Sequence, residues 1–117
     1  MAYLLLSNFD EVKNIKGTCD CSPNDFVSWK QYWTSKAPKN WPEKCQIYSC
    51  GNRAKDGAHV NIYGMEDEVY IIPMCKPHNR PSNTEWFNVN SQTVAVGVKR
   101  EDTNGPGGAC FRRSIDR

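Results

Sequence analysis

The sequence predicts a small α+β domain organised around a four-ligand metal site, and two observations carry that prediction. The first is Cys45-Gln46-Ile47-Tyr48-Ser49-Cys50 followed by Cys75-Lys76-Pro77-His78. Two thiols, then a thiol and an imidazole two residues apart, are the ligand types and spacing of a closed tetrahedral zinc site. The second lies between the pairs, where Gly57-Ala58-His59-Val60 and the apolar run Val69-Tyr70-Ile71-Ile72-Pro73-Met74 read as the two strands of a hairpin. Such a hairpin would bring the ligand pairs together.

Taken in order, residues 3–16 fit a strand or a short helix, and the pattern does not separate the two. Ser22-Pro23-Asn24-Asp25 reads as a helix start, with Ser22 as the cap, Pro23 at the first helical position and Asp25 three residues after the cap. Phe26, Trp29 and Trp33 then recur at helical spacing, and Ala37-Pro38 ends the helix. Trp41-Pro42 leads into the first cysteine pair. Strands at Ala58–Ile62 and Val69–Ile72 flank a polar loop over Tyr63–Glu68. Pro77 suits the first turn of a helix that Arg80-Pro81 stops early. Trp86–Val89 and Thr93–Val98 read as a second hairpin, and from Lys99 the chain becomes a charged, Gly-rich tail containing Gly105-Pro106-Gly107-Gly108.

A knuckle carrying Cys45 and Cys50, a β-hairpin, and a short helix carrying Cys75 and His78 make up a treble-clef zinc arrangement. Ligands at a helix start would meet its outward-pointing N–H groups, which favour thiolate charge. The expectation is therefore one domain over 1–117. Its zinc core spans 41–80, an N-terminal helical extension 1–40, and a C-terminal hairpin and tail 84–117. The competing account is two unrelated pairs of buried thiols.

Composition narrows the function classes. At 117 residues with 38% hydrophobic content, the chain suits one domain with a thin core, which a metal staple would reinforce. The formal charge of +2 is too mild to announce a nucleic-acid binder. Six cysteines suit disulfides in a secreted chain or metal ligands in a cytosolic one. Tyr3-Leu4-Leu5-Leu6 runs into Asp10 and Glu11 with no basic region before it and no small-residue cleavage site, so the expectation is cytoplasmic and metal-binding. No stretch reaches the length of a membrane span, so no membrane partner is expected.

From Cys45 to Asn79 the chain resembles the HNH nuclease motif (the ββα-metal fold). Its zinc-bearing members combine a cysteine pair, a strand histidine, an apolar strand ending at a cysteine, and a second ligand pair. The counterparts here are Cys45/Cys50, Gly57-Ala58-His59-Val60, Tyr70-Ile71-Ile72-Pro73-Met74-Cys75 and Cys75/His78-Asn79. The chain is also similar to small bacterial and phage proteins of unassigned activity that share the Trp-Pro, Gly-Ala-His-Val and Ile-Pro-x-Cys elements. In the nuclease motif the strand histidine activates water, an asparagine supports it, and a later histidine helps hold the catalytic ion. His59 matches the first role. Glu68, Val69 or Tyr70 stands where the asparagine is expected, and Asn79 stands for the later histidine. The resemblance thus implies a degenerate scaffold, because metal-assisted hydrolysis needs the ion that those residues would hold.

Three cysteines remain. Cys19, Cys21 and Cys110, with His59, would complete a second four-ligand set; otherwise they are free thiols and His59 is a structural residue. The aromatics Trp29, Tyr32, Trp33, Trp41 and Trp86 would stack bases if exposed beside Lys30, Lys36, Lys39 and Lys44. In so small a core, docking the helix on the zinc domain suits them better. The functional expectation is a Zn2+-stabilised binding protein acting through protein–protein contacts, an adaptor or inhibitor of the kind bacteria or phages encode, and not an enzyme. The alternative is nucleic-acid binding or residual HNH-type nuclease activity, with His59 as its base.

Overall fold

Residues 3–15, 22–80 and 82–99 are described by the structure, a computed structural model. They form six strands and one helix: β1 (Tyr3–Leu6), β2 (Glu11–Asn14), α1 (Trp29–Lys36), β3 (Asp56–Ile62), β4 (Met65–Met74), β5 (Phe87–Asn88) and β6 (Thr93–Val98). All six strands join one antiparallel sheet in the order β1-β6-β4-β3-β2-β5, curled into a half-barrel.

This overturns the α+β treble-clef expectation. The fold is a curled β-sheet with a single eight-residue helix, and the helix expected after Cys75 is one turn, in which the Asn79 N–H donates to the Cys75 and Lys76 carbonyls at 3.1 Å. The second expected hairpin is also absent among the described residues. β6 pairs with β1 and β4, whereas β5 pairs with β2 at the far edge. Local patterning identifies strands but not their partners, and these pairings are non-local. The ambiguous stretch 3–16 resolves into β1 and β2, separated by a turn in which Asp10 accepts from the Ser7 N–H at 2.8 Å.

The two faces of the sheet are built differently. Ala58, Val60 and Ile62 of β3, with Tyr70, Ile72 and Met74 of β4, pack with Val12, Ile47, Val89, Cys45 and Cys75. The alternating residues Ile71 of β4 and Val94, Val96 and Val98 of β6 face Trp29, Tyr32 and Trp33 of α1. The period-2 alternation of a strand makes two separate cores of one sheet.

The helix begins later than the Pro23 signal suggests. Asp25 takes a left-handed backbone, φ 67°, which no helix interior accommodates. The actual cap is Ser28, whose Oγ accepts from the Gln31 N–H at 3.1 Å, while the Gln31 side chain accepts from the Val27 N–H at 2.7 Å. Gly57 lets the helix start sit directly on β3, since a Cβ there would lie 2.8 Å from the Trp29 carbonyl carbon.

The β3–β4 hairpin turns on Tyr63-Gly64, with Gly64 at φ 90°, so Met65 to Glu68 belong to the strand and not to the expected loop. Its register shifts between Val60 and Ile62. There the buried Asn61 side chain donates to the carbonyls of Glu66 and Glu68, at 3.3 and 3.0 Å, replacing ladder bonds that the bulge removes.

Candidate metal centre

The segment between Glu43 and Ala54 folds back on itself beneath one face of the sheet. The Cys45 N–H donates to the Asn52 carbonyl, the Cys50 N–H to the Ile47 carbonyl, and the Ala54 N–H to the Glu43 carbonyl, at 2.9–3.0 Å. Ser49 takes the left-handed conformation (φ 64°) that closes so tight a loop. The loop is fastened to the sheet on two sides: Gln46 N–H reaches the Pro73 carbonyl, and Tyr48 N–H reaches the Asn88 carbonyl. Cys75 follows the last residue of β4, and the single turn after it carries His78 back over the loop. The β3–β4 hairpin joins the two ligand pairs.

These elements bring Cys45, Cys50, Cys75 and His78 together, with one ligand atom from each all within 4.8 Å of one another. The Cys50 and Cys75 sulfurs are 3.8 Å apart, and His78 Nδ1 lies 3.3 Å from Cys75 Sγ and 3.8 Å from Cys45 Sγ. Bonds of about 2.3 Å to sulfur and about 2.0–2.1 Å to nitrogen around a tetrahedral ion give edges of roughly 3.8 Å between sulfurs and roughly 3.5 Å between sulfur and nitrogen. The three separations lie within about 0.3 Å of these edges. They do not match a disulfide, whose sulfurs lie about 2.05 Å apart, and the three thiols are free. The cluster can hold a metal ion.

The protonation of the thiols is set by unequal surroundings. Burial pushes the Cys45 thiol up to about 12, with backbone hydrogen bonds from Ile47 and Cys75 opposing it. At Cys75 burial acts the same way, but hydrogen bonds from the His78 backbone, the Asn52 amide and the two neighbouring thiols outweigh it and hold the group low. Of these two thiols, Cys75 carries thiolate charge more easily. A bound divalent cation would remove the penalty at Cys45, because a coordinating thiol is deprotonated outright.

His59 lies on the opposite face from this cluster. It is 6% exposed and packs edge-to-face against Trp29 with ring centroids 4.6 Å apart. Burial lowers its imidazole from the ordinary 6.5 to about 4, so it is neutral at pH 7. The sheet separates it from the four ligands, and it shares no site with them. Cys19, Cys21 and Cys110 of the proposed second set lie outside the described residues.

Three asparagines that the sequence did not single out surround the ligands. Asn52 Nδ2 points at Cys75 Sγ, 3.8 Å away. Asn14 of β2 and Asn83 both donate to the His78 carbonyl, at 2.5 and 3.3 Å. Phe87 packs edge-to-face on the His78 ring, with centroids 5.1 Å apart. Asn52, two residues beyond Cys50, was the one within reach of a local reading.

Comparison with known proteins gives no match among family models, curated proteins or solved structures. The reading of this site accordingly rests on its own geometry.

Proposed function

We propose that the chain is a zinc-stabilised binding protein that acts through protein–protein contacts. The observation that carries this reading is the Cys3His set: three thiols and an imidazole whose ligand atoms all lie within 4.8 Å of one another. Four protein ligands fill the coordination of a structural zinc, whereas a catalytic zinc keeps a position open for water or substrate. Zinc is the metal of choice for thiolate-rich tetrahedral sites. Free thiols serving as ligands suit a reducing compartment, so we place the protein in the cytoplasm. No helix among the described residues is long and apolar enough to cross a membrane.

The nuclease alternative loses support at His59. A general base must reach the proton it abstracts, and this imidazole is buried beneath Trp29 on the far side of the sheet from the ligands. The nucleic-acid alternative loses most of its stacking platform, since Trp29, Tyr32 and Trp33 are buried against the sheet and only Trp41 and Trp86 stay partly exposed. Exposed apolar side chains remain for a partner, Phe9 and Tyr63 among them.

The test is made on zinc-loaded protein. We expect no cleavage of plasmid or single-stranded DNA in magnesium or manganese, and no DNA affinity that falls steeply with salt. Capture from host extract should retain a protein partner that chelator-treated protein does not. Divalent-dependent cleavage that disappears in His59→Ala would overturn the reading.

A further inference from the structure

Asn14 is a costly residue at its position. It lies in β2 opposite Val60, is 7% exposed, and its Oδ1 is buried without a hydrogen-bond partner among the described residues. A buried polar atom left unsatisfied is destabilising, and an apolar side chain of similar size would avoid that penalty. Val12, two residues earlier on the same strand face, is such a residue. What Asn14 gains is the use of its other end. Nδ2 donates to two carbonyls, those of His78 and Asn83, which are 64 and 69 residues away in sequence. Both acceptors are carbonyl oxygens, so the amide can only be oriented with its NH2 toward them. That orientation leaves Oδ1 facing the interior.

The His78 carbonyl belongs to the residue that supplies the only nitrogen ligand of the cluster. It sits on a single turn and not on a helix, so the turn's own hydrogen bonds give it little rigidity. Asn14 and Asn83 hold that carbonyl from two sides, and Asn83 in turn donates to the Pro77 carbonyl at 3.4 Å. We propose that Asn14 is a positioning residue for the metal site: through the His78 carbonyl it fixes where Nδ1 sits relative to the three sulfurs, and so couples metal affinity to the docking of strand β2. This rests on the cluster being a metal site. Outer partners that orient a ligand commonly affect affinity by about 10–100-fold when removed.

Asn61 provides the control. It is also buried, also lies in the sheet and also donates to two backbone carbonyls, but those carbonyls, of Glu66 and Glu68, belong to the β3–β4 bulge. Zinc affinity by chelator competition and the absorption spectrum of the cobalt-substituted protein should be measured for wild type, Asn14→Asp, Asn14→Ala and Asn61→Ala. We expect the Asn14 variants to bind zinc about 10–100-fold more weakly with altered cobalt ligand-field bands. Asn61→Ala should lose thermal stability while keeping wild-type affinity and bands. Wild-type affinity and bands in the Asn14 variants would overturn the proposal, whereas a wild-type protein that binds neither metal would overturn the underlying site instead.

Should the Asn14 variants fail to fold, the wild type decides by NMR. The Asn14 side-chain NH2 should shift when cadmium replaces zinc in the folded protein, and that of Asn61 should not. Equal responses from the two would also sink the proposal.

Discussion

The two faces of the sheet are held by different physics. On the helix face, three aromatic side chains of α1 cover Val69, Ile71, Val94, Val96 and Val98, and two of them spend their polar tips on the sheet itself. Trp33 Nε1 donates to the Val94 carbonyl at 2.9 Å, and the Tyr32 hydroxyl to the Gly97 carbonyl at 3.0 Å. That face is a spread-out apolar contact whose strength scales with buried area. The metal face carries no helix among the described residues. Its cover is the loop 43–54 and the turn 75–80, tied down by scattered backbone hydrogen bonds and meeting at four ligand atoms. One face tolerates small losses and the other depends on a point, so perturbations should separate them.

The largest effect should come from the point. On the proposed zinc reading, Cys75→Ser should abolish metal binding and unfold the domain in the absence of excess metal, because a structural zinc would contribute about 10–16 kcal/mol where whole domains are stable by about 5–15 kcal/mol. Circular dichroism melts with and without chelator check this. Survival of a cooperative melt at wild-type temperature would show that the metal face does not need its ion. Next comes the helix face. Trp33→Ala removes a fully buried ring and its hydrogen bond, and should cost about 3–5 kcal/mol in urea unfolding. Unlike Cys75→Ser, it should leave zinc stoichiometry unchanged in the folded fraction.

How much of this was legible in the sequence differs between the two faces. The ligands were readable because paired Cys and His spacing is a local signature, and β3 and β4 were readable as β-branched runs. The supporting asparagines were not, since Asn14 acts on a carbonyl 64 residues away and a lone asparagine carries no periodic signal. Pro77 suggested a helix after Cys75, but proline fits a single turn equally well. On the helix face, Ser22-Pro23 offered a plausible cap, yet Ser28-x-x-Gln31 supplies the real one once Asp25 leaves helical geometry. Strand order stayed hidden because β6 inserts between β1 and β4 across most of the chain's length.

Acid should sharpen the contrast through His59. Its folded pKa of about 4 lies below the ordinary 6.5, so the unfolded chain binds a proton that the native state refuses. The stability from this group is fully present above pH 6.5 and is lost as pH falls toward 4, by about 3 kcal/mol at most. Metal-ligand protonation also destabilises at low pH, so the measurement is the difference between wild type and His59→Gln at pH 7 and pH 5. The difference should shift toward the variant at pH 5; a constant difference would place His59 in a wetter setting than its 6% exposure implies.

The smallest effect concerns the helix start. Ser28→Ala removes the cap to the Gln31 N–H and should cost about 1 kcal/mol, while Ser22→Ala should cost nothing measurable. The reverse ranking would restore the earlier helix boundary.

The most direct measurement of the central claim is the metal content of protein purified without chelator, taken by elemental analysis and native mass spectrometry. One zinc per chain, absent from Cys75→Ser, is the result that a closed Cys45, Cys50, Cys75 and His78 site predicts. Less than about half an equivalent, or a full equivalent retained in Cys75→Ser, would contradict it.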